Sequence, residues 1–166
     1  MLRGKGEKII DKVDDYLTKF LMITSAALLL VIVSVMFVEV IFRYVFLHSL
    51  TWSGELTRYC AVWLALLAGG LGVRKGTHIS IRALTKHFPK GLEKAILLFG
   101  YFTIVLFSAI MIWQGVKLME ITADQLSPSM HIPMATAYAA VPAGGLVMLI
   151  YGVILSLQAI GRSRPA

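Results

Sequence analysis

The chain has 166 residues, 58% of them hydrophobic and only 15% charged. Soluble domains carry roughly a quarter charged residues, and a water-soluble fold of this size has too little interior to hide so much apolar surface. The formal charge is +7, but the basic residues lie between apolar runs, so they read as topology signals and not as a nucleic-acid footprint. Cys60 is the single cysteine, which excludes an internal disulfide and a redox thiol pair. It sits in an apolar run and reads as a small hydrophobe.

Residues 1–19 form a polar lead that mixes acids and bases. The apolar run that follows is too long for a secretory signal and lacks a small-residue cleavage site, so it reads as a retained span. That first predicted span covers about 20–46. Its uncharged core ends at Val38, and about 20 helical residues cross the hydrocarbon. The apolar pattern continues as EVIFRYVF, so the helix must tilt or project. The second span covers about 52–73 and the third about 95–116. The fourth covers about 133–157, with Pro133 suited to a first helical turn and Pro142 expected to kink it.

Lys and Arg alternate between the connections. The lead has Arg3, Lys5, Lys8, Lys12 and Lys19, and the first turn has none. The second loop has Arg74, Lys75, Arg82, Lys86, Lys90 and Lys94, the third only Lys117, and the C-terminus Arg162 and Arg164. The predicted fold is therefore an all-α integral membrane protein. It is one domain, 1–166, with four transmembrane helices and both termini cytoplasmic. Two stretches have an amphipathic pattern suited to short interfacial helices: Ile9, Val13, Tyr16, Leu17 and Phe20 in the lead, and Ile81, Leu84 and Phe88 in the second loop. Pro89 should end the second.

Four charges lie near the ends of spans one and two. Glu39 and Arg43 are spaced i,i+4, and Glu55 and Arg58 i,i+3, so each pair shares a helical face. Folding the sequence about 48–51 brings Arg43 level with Glu55 and Arg58, with Glu39 about one turn deeper. Charge near hydrocarbon is costly unless paired, so mutual pairing of this neutral set is expected. Small residues recur every four positions at Ala61, Ala65 and Gly69, with Ala68 and Gly72 beside them, and again at Ala135, Ala139 and Ala143, with Ala140 and Gly144 beside them, which predicts two close-packing seams, internal or to a partner. Tyr44, Trp52, Tyr59 and Trp113 fit an interfacial aromatic belt. His48, His78, His87 and His131 fall in loops or at span ends, without metal-ligand spacing or the intramembrane placement a haem needs. No nucleophile elbow, phosphate-binding loop or paired-carboxylate motif is present, so no enzyme activity and no cofactor are expected.

The stretch RYVFLHSLTWSGELTRYCAVWLALLAGGLGVRKGTHISI, residues 43–81, resembles the small membrane subunit of tripartite ATP-independent periplasmic (TRAP) transporters. The resemblance lies in Arg43-Tyr44, Trp52, Glu55-Leu56-Thr57-Arg58, Trp63-Leu64, the Gly-rich 69–72, Arg74, Gly76 and His78-Ile79. Gly54 stands where that family often has a second acid, and Arg82 where it often has an acidic or amide residue. The resemblance implies a non-catalytic subunit in the bacterial inner membrane, surrounded by membrane lipids. Its implied partners are a large multi-span membrane subunit that carries the substrate and sodium sites, and a periplasmic substrate-binding protein. The implied activity is sodium-coupled uptake of an organic acid, with this chain bracing the large subunit. Glu39, Arg43, Trp52, Glu55, Arg58 and His78 are then the structural or interaction residues. The spans hold few polar groups able to bind an anion, which agrees with that role. The competing expectation is a stand-alone, proton-coupled carrier acting as a homodimer through Glu39. Arg43 opposes it, because a neighbouring cation keeps a carboxylate ionised.

Overall fold

The computed structural model describes residues 5–85 and 90–161, with side chains described at 12–74, 92 and 95–157. The elements are α1 (Lys5–Tyr44), α2 (Ser53–Thr85), α3 (Lys90–Thr122), α4 (Met134–Tyr138) and α5 (Ala140–Gly161). Four helical segments are long and apolar enough to cross a membrane: Lys12–Tyr44, Ser53–Arg74, Ala95–Thr122 and Met134–Leu157. The expected four-span, all-helical architecture is therefore present.

Helix α1 has 40 residues, which is about 60 Å of helix at 1.5 Å per residue, roughly twice the hydrocarbon thickness. From residue 7 to residue 44 it contains neither glycine nor proline. Nothing interrupts it, so the amphipathic lead is not a separate surface helix but the first turns of α1. The same holds for Ile81 and Leu84, which lie in the last turns of α2. Phe88 and Pro89 lie outside the described residues. Helix α1 stops where Leu47 takes a positive φ of 50° and the His48 N–H returns to the Phe42 carbonyl at 3.1 Å.

Pro142 acts on the fourth span as its chemistry requires. It has no N–H to give the carbonyl four residues back, and its ring crowds that carbonyl. That residue is Tyr138, the last of α4, and the helix is interrupted at Ala139. The Trp63 indole N–H donates to the Thr136 carbonyl at 3.2 Å and so ties α2 to this interrupted turn.

Helix α5 is the centre of the molecule. It packs against α2 on one side and α3 on the other, while α1 packs on α2 and α4 on α3. In the apolar stretch of the fourth span 44% of residues are buried, against 6% in the first. Leu21, Leu67, Val147 and Tyr151 form the core, with Leu17, Trp63 and Leu71 against them. Two adjacent glycines allow α5 to sit between its neighbours. A Cβ on Gly144 would stand 2.8 Å from the Leu66 Cβ and 3.2 Å from its carbonyl oxygen on α2. A Cβ on Gly145 would stand 3.2 Å from the Ser108 carbonyl oxygen on α3.

The expected small-residue seams are met in part: a Cβ on Gly69 would stand 2.7 Å from the Met148 Cε on α5, and Gly144, beside the second seam, meets Leu66 on α2. On α2, Ala61 and Ala65 are exposed and a Cβ on Gly72 would meet nothing. The contact with α5 runs through Leu66, Leu67, Gly69 and Gly70. Spacing by four marks a face of a helix but not which neighbour that face meets.

Gly144→Ala should destabilise the chain by about 1–3 kcal/mol, the usual cost of overpacking, and Gly145→Ala, with its nearest contacts at 3.0–3.2 Å, should cost less. Gly72→Ala should be neutral or slightly stabilising. Thermal unfolding in detergent, compared across the three variants, checks this. Equal unfolding temperatures for Gly144→Ala and Gly72→Ala would contradict the packing described.

Candidate functional site

The chain's polar side chains gather at the two ends of the bundle. One end carries the α1–α2 turn and the α3–α4 loop, and is called here the turn end. The other carries the N-terminal part of α1 and the latter part of α2.

At the turn end, Glu39 is buried, with a side chain 6% exposed. Arg43 lies one turn along α1, and its Nη2 and Nε donate to Glu39 Oε1 at 2.6 and 3.1 Å. The Ser49 hydroxyl donates to the same oxygen at 3.1 Å. This carboxylate therefore fastens the α1–α2 turn back onto α1. Its charge is met by a cation whose own side chain is 57% exposed, so the guanidinium can snorkel toward water.

Glu55 serves a different segment. It sits in the first turn of α2. Its Oε1 accepts the Tyr59 hydroxyl at 2.7 Å, and its Oε2 accepts the backbone N–H groups of Ser129 and Met130, both at 3.0 Å. The α3–α4 loop is shaped to present those amides. The Ser127 N–H bonds the Ile132 carbonyl at 2.9 Å and the His131 N–H bonds the Ser127 carbonyl at 3.1 Å. His131 takes the left-handed conformation, with φ of 54°, which closes the loop. The Met134 N–H donates to the Gln125 carbonyl at 2.8 Å. A single carboxylate thus clamps the tip of this loop onto α2.

The expected four-charge cluster divides accordingly. Arg43 pairs with Glu39 on its own helix, while Glu55 is satisfied by a tyrosine and two amides. Arg58 is exposed and has no hydrogen bond or ion pair among the described residues. It is therefore not the partner of either acid. Carboxylates accept backbone amides as readily as cations, a competitor that charge spacing along the sequence does not reveal. Trp52 is 39% exposed just before α2, and Tyr44 and Trp113 are also exposed. Lys117 lies 4.1 Å from the Trp113 ring centroid, a cation–π contact. His78 lies on α2, and its side chain falls outside the described residues.

A polar cluster at the opposite end joins three helices. Arg74 on α2 donates from Nη2 and Nε to Asp14 Oδ2 of α1 at 2.5 and 3.1 Å, and these side chains are 26% and 16% exposed. One turn along α1, the Thr18 hydroxyl donates to the Asp14 carbonyl at 2.7 Å and lies 3.0 Å from the fully buried Tyr151 hydroxyl of α5. Reading the sequence misses this clasp because Arg74 is one of many loop cations. The available signals are a tyrosine deep in the uncharged fourth span and an acid placed four residues before Thr18. Among the described residues no group of three or more His, Cys, Asp or Glu is placed to hold a metal ion.

The family model for the DctQ component of tripartite ATP-independent periplasmic transporters matches residues 32–162. The chain belongs to this family. It is a small permease component of a TRAP transporter and not an enzyme. The chain is 30% identical over 102 residues to the C4-dicarboxylate TRAP transporter small permease protein DctQ of Rhodobacter capsulatus, covering 60% of this chain and 45% of that one. It is 28% identical to a putative TRAP transporter small permease protein of Haemophilus influenzae, covering 81% and 84% of the two chains. It is 22% identical to the isethionate TRAP transporter permease protein DctMQ of Oleidesulfovibrio alaskensis, covering 69% of this chain but 19% of that protein. The match begins inside α1, so the Asp14–Arg74 clasp of this TRAP component joins a residue outside the matched region to one within it.

Two measurements check this geometry. Glu55→Ala should speed hydrogen exchange at the Ser129 and Met130 amides by at least about tenfold, because each loses a charge-assisted bond, whereas Arg58→Ala should leave both unchanged. A double-mutant cycle on Asp14→Asn and Arg74→Gln should give a coupling energy of about 1–3 kcal/mol. Additive effects would mean that the pair does not form.

Proposed function

We propose that this TRAP component is a non-catalytic scaffold for a large membrane subunit, with which it supports sodium-coupled uptake of an organic acid delivered by a periplasmic binding protein. The family match over residues 32–162 carries the reading. The relative whose name joins DctM to DctQ, and of which this chain covers 19%, supports a long membrane partner. C4-dicarboxylate and isethionate, in the names of two relatives, are both small organic anions and support that substrate class. The location that suits this role is the bacterial inner membrane with both termini cytoplasmic, as the Lys and Arg distribution favours.

The physical case is one of elimination. A carrier of organic anions needs an uncommitted cation or exposed helix N-termini near mid-membrane. In this chain Asp14, Glu39 and Glu55 are engaged locally, Arg43 and Arg74 each hold one of them, and Arg58 lies in the first turns of its span and not near the middle. The polar side chains deeper in the spans are mostly hydroxyls bonded to their own helix, as with Thr103 to Phe99 and Ser108 to Ile104. Such groups stiffen helices rather than bind cargo. The rival, a homodimeric carrier coupled to protons at Glu39, loses ground because Glu39 accepts three hydrogen bonds, two of them from a guanidinium.

Affinity purification from its native membrane should recover a membrane protein several times larger than this chain. Reconstituted uptake should require both subunits and a sodium gradient. Glu39→Gln should leave the ion dependence of uptake unchanged. Uptake by this chain alone in liposomes, abolished by Glu39→Gln, would replace the scaffold reading with the carrier reading.

A further inference from the structure

A cleft of about 470 Å³ opens at the turn end between the start of α2, the α3–α4 loop and α4. Its lining is mixed. Thr51, Arg58 and Ser129 lie among its polar residues, and Val62, Met134 and Ala137 among its apolar ones. Arg58 is its distinctive feature, exposed and without a hydrogen bond or ion pair among the described residues. Glu55 also lines the cleft and keeps its charge, but its oxygens are taken by Tyr59, Ser129 and Met130, so the N–H donors of Arg58 remain available to another acceptor. An unmatched guanidinium beside an apolar wall at the end of a membrane span calls for an anion that carries hydrocarbon with it.

We propose that this cleft binds a membrane glycerophospholipid, with Arg58 donating to its phosphodiester and its glycerol and upper acyl carbons against Val62, Met134 and Ala137. The open donors of Arg58 select the phosphodiester, and the mixed polar and apolar lining selects the amphiphile over a free phosphate ester. The volume accommodates a glycerophosphate and the start of its chains. Gly54 lines the cleft as well, and a Cβ there would meet nothing within 4 Å. The absent side chain at this position keeps the cleft open, so a larger residue there would fill it without displacing the fold. The proposal concerns this chain alone and does not require the large partner.

The test is native mass spectrometry of the purified chain in detergent. Phosphatidylglycerol, phosphatidylethanolamine, diacylglycerol and glycerol 3-phosphate are added separately. Both phospholipids should be retained, because they share the phosphodiester. Diacylglycerol, which lacks the phosphate, and glycerol 3-phosphate, which lacks the chains, should not. Arg58→Gln should reduce phospholipid retention about tenfold, the loss expected from one charge-assisted hydrogen bond. Gly54→Leu should reduce it as much while leaving Arg58 in place. Equal retention of diacylglycerol and phospholipid would overturn the proposal, as would retention unchanged in both variants. Retention unchanged in Arg58→Gln, with recovery of a large membrane partner lost, would assign Arg58 to a partner's carboxylate and equally overturn it.

Discussion

The constraint that organises this protein is the absence of water along most of its length. A carboxylate in hydrocarbon must be matched by donors from the protein, because no solvent supplies them. Asp14, Glu39 and Glu55 each meet this demand with a different donor set: an arginine of the next helix, an arginine of the same helix with a turn serine, and two loop amides with a tyrosine. Each solution also fixes a piece of backbone. The first holds the start of α1 against α2, the second folds the α1–α2 turn, and the third seats the α3–α4 loop. Charges that look like candidates for transport chemistry are in this way consumed by architecture.

The apolar packing is uneven, and the polar clasps compensate for it. Helix α5 is held between α2 and α3 at a distance only glycine permits at Gly144, and one that leaves little room for a Cβ at Gly145. Helix α1 has no such seam. It packs mainly on α2, and its attachment near the N-terminus depends on Leu21 in the core, the Asp14–Arg74 pair and the Thr18–Tyr151 contact. Between membrane helices the hydrophobic effect gives little preference for protein over lipid, so association rests on close packing and polar contacts. Near the N-terminus of α1 such polar contacts reach both α2 and α5.

The spans were legible in the sequence because their signal is additive. Twenty apolar residues in a row outweigh any local ambiguity, and the flanking Lys and Arg mark the ends. Pro142 was legible because its effect is covalent: a missing N–H breaks one bond at a fixed offset, to Tyr138. Register between helices was not legible. Ala61, Ala65 and Gly69 share a face, yet only Gly69 meets α5, at Met148, while Ala61 and Ala65 are exposed; how far along a helix such a face is covered depends on the helices packed beside it. The charge partners failed for a related reason. Glu55 and Arg58 share a helical face, yet the donors to Glu55 come from amides at 129 and 130, whose approach depends on a loop closed by His131 in a left-handed turn. Backbone donors carry no sequence signature, so an acid that prefers them looks unpaired in the sequence and its neighbouring cation looks taken.

Only 6% of the residues in the apolar stretch of α1 are buried, and Phe20, Ile23, Leu30, Val33 and Phe37 are all well exposed. For a self-contained carrier this is an odd investment, since the longest helix would contribute least to an internal pathway. For a scaffold it is economical. A long apolar face, fixed at both ends by polar clasps and little engaged by its own chain, offers contact area to lipid or to another membrane protein without any change in the α2–α5–α3 unit. Rigidity and availability then follow from one arrangement: the polar groups are spent on holding the helices, and the apolar face is left for whatever the membrane places beside it.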